Sequence, residues 1–208
     1  MVPINQALRK NKGECGFFVG VSGKMMNPEI VYVSFVRPIN WDTINPLIKL
    51  SNEIVNSGAE QIYLLMGSTG GFVDAGFAVY NHLLGLPIKV TTHNIGSIDS
   101  VANVIFLAGS TRLACENATF LFHGIHWGFG AGAEVRRPQM MEIVTSLQAA
   151  ENKMRDAIVS RSILTVEEVD AFFAEGAMKD ANFALSKQII HEIKAVNIPA
   201  GATILHAS

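Results

Sequence analysis

The sequence predicts an α/β fold. Three observations carry this reading. Strand-like and helix-like segments alternate along the chain. Ile62-Tyr63-Leu64-Leu65-Met66 is a continuous apolar run, as in a buried parallel strand. The glycine-rich break that follows it gives way to a helix. In chain order, Ile30 to Phe35 is rich in β-branched and aromatic residues and reads as a strand. Asp42 can cap a helix in which Ile44, Leu47, Ile48, Ile54 and Val55 recur at helical spacing, with Gly58 as its stop. After the strand Ile62–Met66, Gly67-Ser68-Thr69-Gly70-Gly71 breaks the chain and Phe72 to Leu84 reads as helix. Ile88 to Thr92 is the next strand, and Gly96 and Ser97 are expected to turn the chain. Ser100 to Leu107 is expected as a small apolar helix ending at Gly109. Thr111–Ala114 and Ala118–His123 are short strands, followed by the glycine-rich Gly128–Gly132. Pro138 opens a long helix through about Arg161, with Met141, Val144, Leu147, Met154 and Ile158 on one side. Thr165 and Glu168 form a capping box for Val166–Ala174, and Ile189–Ile193 is expected as the last strand.

Composition narrows the function. The chain has 208 residues, with 16 Lys plus Arg against 18 Asp plus Glu, a formal net charge of −2. Without a basic surplus there is no drive for counterion release, which argues against nucleic acid. Apolar residues reach 49% and charged residues only 16%, against about 25% charged in an average protein. That excludes a disordered chain and leaves surplus apolar surface suited to an interface. Two cysteines, Cys15 and Cys115, cannot build a disulfide framework. The N-terminus lacks a signal-peptide core, and no apolar run approaches the roughly 20 residues of a membrane span. The expected compartment is the cytoplasm.

Ligands of open α/β sheets bind at the carboxyl ends of the strands, and three segments place unusual residues there. Gly-Ser-Thr-Gly-Gly at 67–71 lets backbone approach a ligand closely, though it is by itself an ordinary flexible turn. Gly96-Ser97-Ile98-Asp99-Ser100-Val101-Ala102 puts a serine at the start of a helix beside free N–H groups that suit an oxyanion; the plainer role for Ser100 is a helix cap. In Phe120-Leu121-Phe122-His123-Gly124-Ile125-His126, a histidine ends an apolar strand. His126 reads as a rim residue. A serine hydroxyl needs a base to take its proton, and His123 is the natural partner of Ser100.

Taken together, these segments resemble the proteolytic subunit of the ATP-dependent Clp protease. The counterparts of that family's motifs are Ser68-Thr69-Gly70-Gly71, Gly96 to Ala102, Ala108-Gly109, Arg112 and Phe120-Leu121-Phe122-His123. Order and spacing fit, since Ser100 lies 29 residues after Gly71 and His123 lies 23 after Ser100. The likeness runs from about Ile30 to Ile193. It implies the spiral ClpP/crotonase-like fold of ββα units with a long handle helix. It implies a serine endopeptidase in which Ser100 is the nucleophile, His123 the general base, and the N–H groups of Gly71 and Val101 the oxyanion hole. It also implies a homo-oligomer of rings, heptameric and paired in the family, acting on peptides or unfolded proteins. No metal or organic cofactor is expected. ATP would serve only a partner, since no phosphate loop is present.

The sequence departs from the family in four places. Thr69 replaces a proline. Asp99 stands where a small residue usually precedes the nucleophile; it either turns away or raises the pKa of the base. The triad acid is not at its usual place: the gapless match puts Gly176 there, with Glu175 one residue away and Asp180 nearby. Glu175 is the acid of choice, Asp180 also reads as a helix cap, and a Ser–His dyad stays open. Residues 1–29, with an expected strand at Cys15–Val21, do not match the family's gate region, so they form a divergent segment before a single domain at 30–208. The resemblance implies an AAA+ ATPase partner, and the mismatch of residues 1–29 with the gate region argues against one. Two further hypotheses remain. One is a catalytically inactive scaffold or assembly subunit. The other is a signal-peptide-peptidase-like protease with a lysine base, disfavoured because Pro138–Ala150 contains no lysine. Crotonase-type acyl-CoA chemistry ranks below both, because it needs no serine–histidine pair.

Overall fold

The computed structural model describes residues 29–207, and the strand expected at Cys15–Val21 lies outside them. Strands β1 (Ile30–Val36), β2 (Gln61–Ser68) and β3 (Lys89–Asp99) run parallel, side by side. In β2, Ile62, Leu64, Leu65 and Met66 are all buried, as in a parallel strand covered on both faces. Helix α1 (Trp41–Asn56) joins β1 to β2, and α2 (Val73–Gly85) joins β2 to β3. The cap of α1 is Asn40, not Asp42. The Asn40 side chain accepts the Thr43 N–H at 3.0 Å, and Thr43 Oγ1 accepts the Asn40 N–H at 3.1 Å. Asp42 instead lies in the first turn, where its charge faces the positive end of the helix dipole.

The turn expected at Gly96-Ser97 is absent, because β3 continues through both residues to Asp99. What happens there is a change of neighbour. Thr91–Asn94 pair with β4 (Thr111–Ala114), whereas Ser97–Asp99 pair with β5 (Thr119–Phe122). The fully buried Asn94 sits at the fork, donating to the Thr119 carbonyl at 2.8 Å and accepting the Gly96 N–H at 2.9 Å. The fork places β5 beyond β4 along β3, level with the end of β2.

The short helix α3 (Ala102–Leu107) is wholly buried and starts two residues later than expected. Long helix α4 (Arg137–Ser160) and α5 (Val166–Glu175) follow, the latter with the expected Thr165/Glu168 capping box. The apolar side expected on α4 divides in two. Met154 and Ile158 are buried, whereas Met141 and Val144 are 57% and 51% exposed. Strand β6 (Ala177–Asp180) pairs antiparallel with β5, α6 (Ala181–Ser186) follows, and β8 (Thr203–His206) pairs parallel with β1. These three elements have four to six residues each, too few to show a period in sequence. The expected last strand shrinks to β7 (Glu192–Ile193), which pairs with β4. Ile189 and Ile190 are core residues, but their N–H groups turn back to the Ala184 carbonyl at 2.9 and 3.2 Å and are lost to any strand. The sheet order is β6-β5-β3-β2-β1-β8, with β4 and β7 branching from β3.

Candidate active site

The sheet brings the carboxyl ends of β2, β3 and β5 together. Ser68 pairs with Ile98, and Asp99 pairs with Leu121. The segments leaving these strands, Thr69–Gly71, Ser100–Val101 and His123–Ile125, therefore meet at one end of the sheet. The Ser100 N–H donates to the Leu121 carbonyl at 2.9 Å and so extends the β3–β5 ladder toward His123.

Ser100 has a left-handed backbone, φ 57°. A side-chain-bearing residue in that region costs about 1–3 kcal/mol and persists only where its surroundings hold it. Here Asn103, 1% exposed, holds it. Its amide nitrogen reaches the carbonyls of Leu121, Ser100 and Ile98 at 2.9, 3.1 and 3.3 Å. One side chain thus ties the end of β3, the elbow and the end of β5. The plainer role for Ser100 does not apply, because the residue preceding α3 is Val101 and no side chain caps the helix. Sequence reasoning missed Asn103, although a lone amide within Val101–Leu107 was a usable signal.

Gly70 borders Ser100, and Gly71 packs against Ile39. A Cβ on Gly70 would lie 2.6 Å from the Ser100 Cβ. Gly71 has φ 147°, and a Cβ there would lie 2.1 Å from the Ile39 carbonyl oxygen. The Ile39 N–H donates to Gly70 O at 2.7 Å, and the Phe72 N–H donates to Ile39 O at 2.8 Å. These bonds fix Gly71 on both sides without using its N–H. Among the described residues, neither Gly71 nor Val101 gives its N–H to a backbone acceptor. Gly76 of α2 lets that helix close on the elbow, since a Cβ there would lie 2.4 Å from Val101 Cγ2. Gly71→Ala is expected to displace the N–H of residue 71 and to lower the thermal midpoint, because its Cβ would overlap the Ile39 carbonyl. With Gly71 as an oxyanion donor, the role the resemblance implies, reaction at Ser100 should fall by about 10²–10³. Peptide-hydrolysis rates measured beside thermal midpoints check this.

Asp99 turns away. Its carboxylate accepts the Ser97 hydroxyl, and Ser97 Oγ accepts Thr119 Oγ1–H at 3.1 Å, so the chain of bonds runs across the β3–β5 pair. His123 is half-buried, and its Nδ1 lies 2.7 Å from the Gly124 carbonyl oxygen. A carbonyl only accepts, so Nδ1 carries the proton and the Nε2 lone pair is free. His126 is exposed, its ring 6.1 Å from that of His123. Glu175 is the exposed last residue of α5. Asp180 is exposed and caps α6, accepting the Phe183 N–H at 2.7 Å. Neither carboxylate hydrogen-bonds His123.

Two groups with shifted pKa values meet between β2 and β3 instead. Burial pushes the Tyr63 hydroxyl up to about 12 and pushes His93 down, and the two share a 2.9 Å hydrogen bond between β2 and β3. His93 Nε2 faces the Lys194 carbonyl at 2.8 Å, so the pair braces the sheet.

Among the described residues, no helix is long and apolar enough to cross a membrane. The Clp protease family description matches residues 19–196. A relative from Leifsonia xyli subsp. xyli, ATP-dependent Clp protease proteolytic subunit 1, is 30% identical over 134 residues, covering 63% of this chain and 67% of its own length. Proteolytic subunit 2 of Chlamydia pneumoniae is 22% identical over 188 residues, covering 88% and 91%. Proteolytic subunit 2 of Borreliella burgdorferi is 37% identical over 70 residues, covering 33% and 35%. With an α/β sheet, a long helix α4 and a family match over most of its length, the chain belongs to the Clp protease family.

Proposed function

We propose that the protein is a serine peptidase with a Ser100 nucleophile and a His123 general base. The observation that carries this is the left-handed Ser100 just after β3, laddered to the strand that leads into His123. In this reading the Ser100 hydroxyl adds to a peptide carbonyl while its proton passes to His123 Nε2. The oxyanion that forms is held by the N–H groups of Gly71 and Val101. The imidazolium returns the proton to the leaving amine, and water then cleaves the acyl-enzyme by the same route. The reading needs only the dyad. Glu175 becomes its third member if its carboxylate takes the Nδ1–H from Gly124 O.

A lysine base is disfavoured, because the first lysine of α4, Lys153, is paired with Asp74 at 3.0 Å. An inactive assembly subunit is the competing reading, favoured by the missing carboxylate at His123. One experiment separates the two. The intact protein is treated with a fluorophosphonate and the adduct is mapped by mass spectrometry. A single adduct on Ser100 supports the peptidase, and a folded protein that stays unmodified, or is modified elsewhere, overturns it.

The exposed Met140, Met141 and Val144 of α4 favour a homo-oligomer in which this helix meets a second copy. Residues 30–208 act in this reading as one catalytic domain after a divergent segment 1–29, in the cytoplasm, on peptides or unfolded proteins.

A further inference from the structure

The peptide group that His123 meets is itself backed by a carboxylate. The Gly124 carbonyl that accepts the His123 Nδ1–H belongs to the same peptide unit as the Ile125 N–H. That N–H donates to Glu151 Oε1 of α4 at 2.8 Å, across 26 residues of sequence. A negative charge on the N–H side of an amide pushes electron density toward its oxygen, so the carbonyl becomes a stronger acceptor. The approach is built into the site. Gly124 is where Glu151 comes closest, since a Cβ there would lie 2.8 Å from Oε1 and 3.3 Å from the Phe173 carbonyl. The Gly124 N–H is held by that carbonyl at 2.9 Å, so α5 grips the segment from the other side.

We propose that Glu151 is a positioning residue for His123, acting through the 124–125 peptide in place of a triad aspartate. The proposal rests on the Ser100–His123 reading for its catalytic meaning. The Ser100 Oγ–H proton goes to Nε2, and the ring becomes imidazolium. Its Nδ1–H stays on the Gly124 carbonyl, and no proton moves to Glu151. The carboxylate offsets the new positive charge through the polarised amide and keeps the ring in the Nδ1–H tautomer beforehand.

The test compares wild type with Glu151→Gln, which keeps an acceptor for the Ile125 N–H but loses the charge, and with Glu151→Ala. Thermal midpoints confirm folding. Fluorophosphonate phosphonylation of Ser100 is expected to slow by about tenfold to a hundredfold, the usual loss when an outer partner of a functional side chain is removed. The effect should fall on the maximal phosphonylation rate and leave the concentration dependence of binding in place. Nitrogen NMR of the His123 ring gives a readout independent of activity: Nδ1–H in wild type, with that tautomer losing share in Glu151→Ala. A wild-type ring protonated at Nε2, or variants whose tautomer and phosphonylation rate match wild type, overturns the proposal. If Ser100 is never phosphonylated, the peptidase reading fails by itself, and the tautomer still decides the role of Glu151.

Discussion

Ser100→Ala is expected to abolish phosphonylation by a fluorophosphonate and to lower peptide hydrolysis by about three orders of magnitude or more. The substitution removes one oxygen and keeps the Cβ that Gly70 already accommodates, so the elbow should keep its shape. The bonds that hold the elbow come from Asn103 and from the Ser100 main chain, and the hydroxyl takes no part in them. Fold and activity therefore separate cleanly. His123→Ala is expected to cost a similar factor, because a serine hydroxyl without a base is a poor nucleophile. The double variant should be no slower than either single one, since groups that act as one unit lose their effect together. Steady-state hydrolysis of a fluorogenic peptide, with phosphonylation as the second readout, checks all three. A Ser100→Ala protein that still hydrolyses peptide at the wild-type rate would remove Ser100 from the chemistry.

The largest expected effect on stability belongs to Arg112→Met. Arg112 is 6% exposed, and its guanidinium meets carbonyls only. Nε donates to Ile189 O at 2.7 Å, Nη1 to Gly109 O at 3.2 Å, and Nη2 to Gln188 O and Arg161 O at 2.8 and 3.0 Å. Burial, with the neighbouring Arg161 charge, lowers its pKa to about 10. It still stays charged at neutral pH. These bonds join the turn after α3, the end of α4 and the turn after α6, where Gln188 has a left-handed backbone at φ 56°. Methionine fills much of the volume but leaves those acceptors without their donor. At about 1–3 kcal/mol for an unsatisfied buried group, a loss of about 3 kcal/mol or more is expected. For a chain of this size that is a fall of roughly 6–12 °C in thermal midpoint. Arg112→Lys should recover little, because an ammonium cannot span the fan of carbonyls. A midpoint unchanged in Arg112→Met would show that water replaces the guanidinium.

Much of the architecture was legible because apolar character is written locally. The run Ile62–Met66 reads as a buried strand without any partner in view, and the capping box at Thr165 and Glu168 closes within a single turn. The turn expected at Gly96-Ser97 was wrong for a nonlocal reason. The glycine sits where β3 changes neighbours, and the side chain that satisfies its N–H, Asn94, is tied to Thr119 of another strand. The expected strand at Ile189–Ile193 failed likewise, since the Ala184 carbonyl captured both isoleucine N–H groups.

The sequence by itself determined which residues are candidates for chemistry. Serine at a glycine-flanked turn, and histidine ending an apolar strand, are local patterns whose order and spacing persist in any fold. Only the tertiary structure decided what surrounds them. The left-handed backbone of Ser100, the three carbonyls gathered by Asn103 and the approach of Glu151 to the peptide after His123 all join segments far apart in the chain. Such contacts leave no periodic trace, because a carboxylate on a helix looks the same in sequence whether it faces water or an N–H from another segment.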